Sequence, residues 1–146
     1  MDTSRQWGHT VAEIKKDHVN RYRFAEQYVT GRVLDAACGC GYGSKILMDS
    51  ALEVVGVDDS IEAIEWAREF FRGPQFIKGR IEEAPWTGQF ETIVSLETLE
   101  HLKNPEEALK AFRRSCIGTL IASVPNENLY PFRAEVFAND DSPHYR

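Results

Sequence analysis

Between Val33 and Asp58 the chain reads VLDAACGCGYGSKILMDSALEVVGVD. An apolar run ends on an acid, glycines follow at positions 39, 41 and 43, and a second apolar run ends on another acid. Short apolar runs bounded by glycine suit strands buried on both faces, and the intervening YGSKILMDSA suits a helix. The same rhythm continues. SIEAIEWAREFFRG reads as a helix with Ser60 as its N-cap and Gly73-Pro74 as its stop. QFIKG and FETIVSLE read as strands, NPEEALKAFRRS as a helix capped by Asn104 with Pro105 in its first turn, and IGTLIASVP as a fifth strand. Strands alternating with helices imply a mainly parallel, doubly wound α/β sheet of Rossmann-like type with helices on both faces. Ahead of this pattern, Val11 to Tyr28 carries Val11, Ile14, His18, Tyr22 and Ala25 at three- and four-residue spacing, which predicts one leading helix. After Pro125 the pattern weakens to a loop with room for one short helix.

The 146 residues suffice for a single domain spanning 1–146. No apolar run approaches the roughly 20 residues a membrane span needs, and MDTSRQWGHT lacks the basic-then-apolar order of a secretion signal. Three cysteines, an odd number, fit a reducing compartment, so a cytoplasmic location is expected. The net charge of −6 argues against broad nucleic-acid binding, which draws on a basic face. The Arg21/Arg23 and Arg113/Arg114 pairs read as solvated helix faces.

In an open parallel sheet, ligands bind beyond the carboxyl ends of the strands, where strand order reverses. The loop DAACGCGYG falls there. Asp58 follows Gly39 by 19 residues, close to the roughly 20-residue offset of an acid that accepts hydrogen bonds from a ribose diol. The glycine spacing G-x-G-x-G differs from the dinucleotide fingerprint, and Asp35 would repel a pyrophosphate while suiting an ammonium group. A ribose joined to an amino acid points to S-adenosylmethionine.

With these residues in view, the chain resembles the class I S-adenosylmethionine-dependent methyltransferases. VLDAACGCGYGS resembles the family's first motif and VVGVDDS its ribose-binding strand end. FETIVSLETLEHLKNPEEALKAFRR resembles the fourth strand and following helix of the branch that includes ubiquinone-biosynthesis O-methyltransferases. SVPNE resembles the end of the fifth strand, and HVNRYRFAEQYVTG the helix before the first motif.

The resemblance implies that Asp35, Ala36, Gly39 and Gly41 hold the methionine part and Asp58, with Asp59 as lesser partner, the ribose. It implies that Arg80 and the Ile81 amide lie at the adenine, where many members carry an acid in place of Arg80. Leu96 and Glu97 are expected to line the cofactor, His101 to face the acceptor as a base, and Arg21 and Tyr22 to cover the methionine end. Trp86, in the loop near the expected adenine, is the tryptophan best placed for a functional role. Glu97, Glu100 and His101 with His144 resemble a magnesium cluster of some relatives, although the same short motif is common where no metal is needed; no metal is expected.

The family's sheet has seven strands in the order 3-2-1-4-5-7-6, and five are read here. The last two are therefore expected to be missing, leaving the fifth strand as an apolar edge. Either the tail from Asn126 covers that edge or two chains pair there as a homodimer. The expected activity is methyl transfer to an oxygen or nitrogen of a small molecule or glycan. The alternatives are a shortened, non-catalytic binding module and a nicotinamide-dependent enzyme on a related fold, the latter disfavoured by the glycine spacing and Asp35.

Overall fold

The computed structural model describes residues 5–83, 89–126 and 128. Five strands form one sheet: β1 (Arg32–Ala36), β2 (Glu53–Asp58), β3 (Gln75–Lys78), β4 (Phe90–Leu96) and β5 (Cys116–Ser123). Their order is β3-β2-β1-β4-β5, and every pairing is parallel. The expected doubly wound order is present among the described residues. Among the described residues four α-helices connect and precede the strands: α1 (Lys16–Glu26), α2 (Tyr42–Leu47), α3 (Ile61–Phe70) and α4 (Pro105–Ser115).

Successive strand residues point to opposite faces, and this sorts the core into layers. Val33, Val54 and Val94 pack with Tyr22, Ala25, Ile46 and Leu47 of α1 and α2. Their neighbours Leu34, Val55 and Ile93 pack with Ala108 and Phe112 of α4, together with Ile81 and Phe90. A third group joins Ile64 and Ala67 of α3 to Phe71, Phe76 and Cys38. The three central strands are buried on both sides, which is why they read as unbroken apolar runs rather than alternating ones.

Helix limits differ from the sequence expectation where local polar bonds compete with the helix. The expected leading helix over 11–28 is two pieces. Thr10 Oγ1 donates to Glu13 Oε1, the His9 backbone N–H donates to Glu13 Oε2, and Val11–Glu13 closes a single 3-10 turn. Ile14 and Lys15 then run extended, sending Ile14 into the core, before α1 begins. α2 ends at Leu47, because Asp49 and Ser50 make tight turns back to Ile46 and Leu47. α3 starts as expected, with the Ser60 hydroxyl accepting from the Ala63 N–H. It stops at Phe70, before Gly73, because Phe71 turns extended to bury its ring. Asn104 caps α4 by position, through the Glu107 N–H bonded to its carbonyl, without a capping bond from its side chain.

Among the described residues β3 is one edge of the sheet and β5 the other. Ile117, Leu120 and Val124 are exposed there. The tail expected to cover this edge lies outside the described residues. No helix among the described residues is long and apolar enough to cross a membrane.

Candidate cofactor site

An open cavity sits at the carboxyl ends of β1 and β4, where the strand order reverses. Its floor is the loop Ala37–Cys40, one wall is Leu96 and Glu97 at the end of β4, and the opposite wall is His18, Arg21 and Tyr22 of α1 with Tyr42 of α2. Arg5 and Gln6 close one side.

The three glycines of the loop have three different reasons. Gly39 adopts a left-handed φ of 54°, its N–H donates to Asp58 Oδ2 at 2.9 Å, and the space beside it holds only Arg5. Gly41 has φ 90° and lies so close to Ala67 and Phe76 that a Cβ would clash at 2.6 and 2.8 Å. Gly43 is pressed against the Tyr22 ring, where a Cβ would stand 2.0 Å away. Of the three, only Gly39 belongs to the cavity lining; Gly41 lets the start of α2 sit against α3 and β3, and Gly43 lets α1 and α2 approach each other.

The two strand-end acids also differ. Asp35 is fully buried. Its Oδ1 accepts from the Tyr22 hydroxyl at 3.1 Å and its Oδ2 from the Ser44 hydroxyl at 2.6 Å. Burial pushes its pKa up to about 7, outweighing the two hydroxyl donors. Asp58 accepts from backbone N–H groups of Gly39 and Ser60 and from the Arg5 guanidinium. Asp35, expected to hold the methionine part, is thus buried with both carboxyl oxygens engaged by hydroxyls of the chain itself. Neither Asp35 nor Asp58 is among the cavity-lining residues; the Asp35 oxygens tie α1 and α2 to β1, whereas Asp58 lies directly behind two lining residues, bonded to Gly39 and Arg5. Ala36 is likewise buried, and the neighbouring Ala37, with φ 63°, takes its place in the lining.

Leu96 and Glu97, the residues expected at the cofactor, line the cavity. Glu97 holds a left-handed φ of 51°, unusual for a residue with a side chain. Ser123 at the end of β5 stabilises it: the Glu97 N–H donates to the Ser123 carbonyl at 3.0 Å and the Ser123 hydroxyl donates to Glu97 Oε1 at 2.7 Å. Among the remaining wall residues, the Tyr42 hydroxyl and His18 Nδ1 lie 3.3 Å apart. Burial lowers the His18 pKa, opposed by Asp17.

Four other expected site residues, Arg80, Ile81, His101 and Asp59, are not among the cavity-lining residues. Arg80 is exposed and pairs with Glu82 at 3.1 Å and Glu83 at 3.6 Å. The Ile81 side chain packs in the core against α4, while the expectation concerns its backbone amide. His101 sits in the 3-10 turn Leu99–His101, with Nε2 3.8 Å from Glu100 Oε1, and is not among the cavity-lining residues. Asp59 is exposed and lies 3.8 Å from Arg5. Beside His101, burial raises the Glu100 pKa to about 7, and its Oε2 is buried without a hydrogen-bond partner among the described residues. No cluster of three or more metal-ligating side chains occurs among the described residues. His144 and Trp86 lie outside them.

Comparison with known proteins agrees with this geometry. The methyltransferase domain family matches residues 34–118. A ubiquinone biosynthesis O-methyltransferase of Azoarcus sp. (strain BH72) is 28% identical over 94% of this chain and 64% of its own length. A probable S-adenosylmethionine-dependent methyltransferase of Mycobacterium tuberculosis is 26% identical over 86% of this chain and 45% of its own length. The chain thus spans between about half and two thirds of these curated relatives. Among solved structures, the PH0226 protein of Pyrococcus horikoshii OT3 superposes with a TM-score of 0.66 at 28% identity, covering 74% of this chain and 58% of that one. The matched span runs from β1, through the glycine loop and Asp58, into β5, and on that basis the chain belongs to the class I S-adenosylmethionine-dependent methyltransferases.

Proposed function

We propose that this chain transfers a methyl group from S-adenosylmethionine to an oxygen or nitrogen of a small molecule or glycan. The observation that carries the reading is the Gly39–Asp58 pair: a buried carboxylate at the end of β2, bonded to the backbone of a glycine loop that floors an open cavity. A carboxylate there suits a ribose diol, since it only accepts and a diol donates twice. The residues fit the cofactor in a second respect. Gly39 leaves free the space a side chain would fill, so a ligand can approach the backbone.

Bound S-adenosylmethionine supplies an electrophilic methyl group on a sulfonium. The chain's own residues then hold and shield. Asp58 and Gly39 fix the ribose end. Leu96 and Glu97 wall the cavity, and the Tyr22, Tyr42 and His18 side covers the methionine end and excludes water. Orientation of donor and acceptor in line is the main requirement of such a transfer. His101 stands outside the lining, so no proton transfer is assigned to it. Arg80 and Ile81 are not assigned to the adenine.

Isothermal titration with S-adenosylhomocysteine tests the reading. Binding that Asp58→Ala abolishes, followed by acceptor-dependent formation of S-adenosylhomocysteine from S-adenosylmethionine, is the expected result. A folded chain that binds neither would overturn it. A non-catalytic binding module is the second reading. It is favoured by one observation, the Arg5 guanidinium already seated on Asp58. Cofactor binding without turnover on any acceptor would select it. The exposed β5 edge is the surface proposed for a second copy of the chain, and sedimentation as a dimer that Leu120→Lys disperses is the outcome that supports pairing there.

A further inference from the structure

Arg5 stands where the ribose of the proposed cofactor would be held. Asp58 is 3% exposed. Its Oδ2 accepts from the Gly39 N–H at 2.9 Å and from Arg5 Nη1 at 3.1 Å. Its Oδ1 accepts from the Ser60 N–H at 3.0 Å and lies 3.1 Å from Arg5 Nη2. Two backbone amides and a two-pronged guanidinium together use about four acceptor positions, the full capacity of a carboxylate. A diol needs two of those same positions, and only the two held by Arg5 are free to change hands, because the amides belong to the loop and the α3 cap.

The segment carrying Arg5 is anchored separately. Trp66 Nε1 donates to the Gly8 carbonyl at 3.1 Å. The Trp7 ring stands edge-on to Trp66 at 5.3 Å, and the His9 ring packs on Trp66 and Phe70 at 5.0 and 4.6 Å. Residues 5–9 therefore form a strap pinned to one helix, α3, with a guanidinium at its leading end.

We propose that Arg5 is an internal competitor for the ribose carboxylate, so that cofactor loading requires Arg5 to leave Asp58. The inference rests on the reading of Asp58 as the ribose acceptor. The fraction of molecules with Asp58 released scales the apparent affinity, because a ligand that binds only the released state has its dissociation constant divided by that fraction. Lysine offers a point charge without the fork and should compete less well than arginine.

The test is isothermal titration of the whole chain with S-adenosylhomocysteine, using wild type, Arg5→Ala, Arg5→Lys and Asp58→Asn, each first shown to be folded by circular dichroism. The expected result is binding about tenfold tighter in Arg5→Ala, corresponding to a released fraction of roughly one in ten. Arg5→Lys is expected to lie between, and Asp58→Asn to lose binding. Trp7 and Trp66 report the strap, so wild-type tryptophan emission is expected to change on loading. Equal or weaker binding by Arg5→Ala, with wild type binding and Asp58→Asn silent, would overturn the competition alone. No binding by any of the proteins, or equal binding by wild type and Asp58→Asn, would overturn the ribose reading and the competition with it.

Discussion

Asp35 near the end of β1 and Asp58 at the end of β2 stand on neighbouring strands, point to the same face of the sheet and flank the same glycine loop. One meets hydroxyls of Tyr22 and Ser44 in a sealed interior; the other meets backbone amides and a partly exposed guanidinium. The difference lies in what each neighbour can give up. Tyr22 is locked by its packing on Gly43, and Ser44 by α2, so Asp35 has no oxygen to offer a ligand. In the proposed competition the Arg5 guanidinium gives up its two positions on Asp58, which leaves that carboxylate with oxygens to offer. An acid beside a glycine loop is thus a joint in one case and, in the proposed function, a docking point in the other, although both are aspartates after an apolar run.

The comparison can be broken first at Gly43. Gly43→Ala drives a methyl group into the Tyr22 ring, and overpacking of this kind is expected to cost about 3 kcal/mol, measured by urea unfolding. Gly39→Ala meets open space and only backbone strain, so about 1 kcal/mol is expected, with the larger loss appearing in cofactor binding. Nearly equal destabilisation by the two would remove the distinction between joint and docking point.

Next in size is Tyr22→Phe. It leaves Asp35 Oδ1 without its hydroxyl donor in a dry interior, and a loss of about 1–3 kcal/mol is expected.

The third test uses pH. The folded Asp35 pKa is raised to about 7 from 3.8. The protonated form is therefore the favoured one in the fold. Its contribution is fully present below pH 3.8 and is lost as pH rises through about 7. Glu100, raised from 4.5 to about 7, acts in the same direction, while His18, lowered from 6.5, acts in the opposite one. The difference between wild type and Asp35→Asn isolates the first: wild-type stability relative to the variant is expected to fall between pH 4 and 7. A constant difference over that range would mean that Asp35 is not held in a sealed site. The smallest expected effect is at Ser123. Ser123→Ala removes one hydroxyl bond to Glu97 and is expected to cost about 1 kcal/mol, together with a modest weakening of cofactor binding.

How far the sequence could be read follows from the range of each interaction. Strands β1, β2 and β4 were legible because burial on both faces forces continuous apolar runs. The Ser60 cap was legible because its bond spans three residues. The split before α1 was not, because helical spacing at Val11 and Ile14 says nothing of Glu13 reaching back to His9 and Thr10. In the site, the 19-residue offset pointed to Gly39 and Asp58, and the two do bond. The depth of Asp35 is not legible in the pattern, because it is set by partners on other elements, here Tyr22 and Ser44. The resemblance sets Arg80 at the adenine, and the fold pairs it locally and at the surface with Glu82 two residues on. Arg5 left no trace in the pattern. It lies 53 residues from Asp58, in a stretch without periodicity, and only the folded chain brings the two together.

The most direct measurement is a parallel titration of folded Asp58→Asn and Asp35→Asn with S-adenosylhomocysteine at a pH below 7. At least a tenfold loss of affinity in Asp58→Asn, with Asp35→Asn within about threefold of wild type, is the expected result; tenfold corresponds to about 1.4 kcal/mol. Loss of binding in Asp35→Asn with Asp58→Asn unaffected would contradict the assignment of Asp58 as the docking carboxylate.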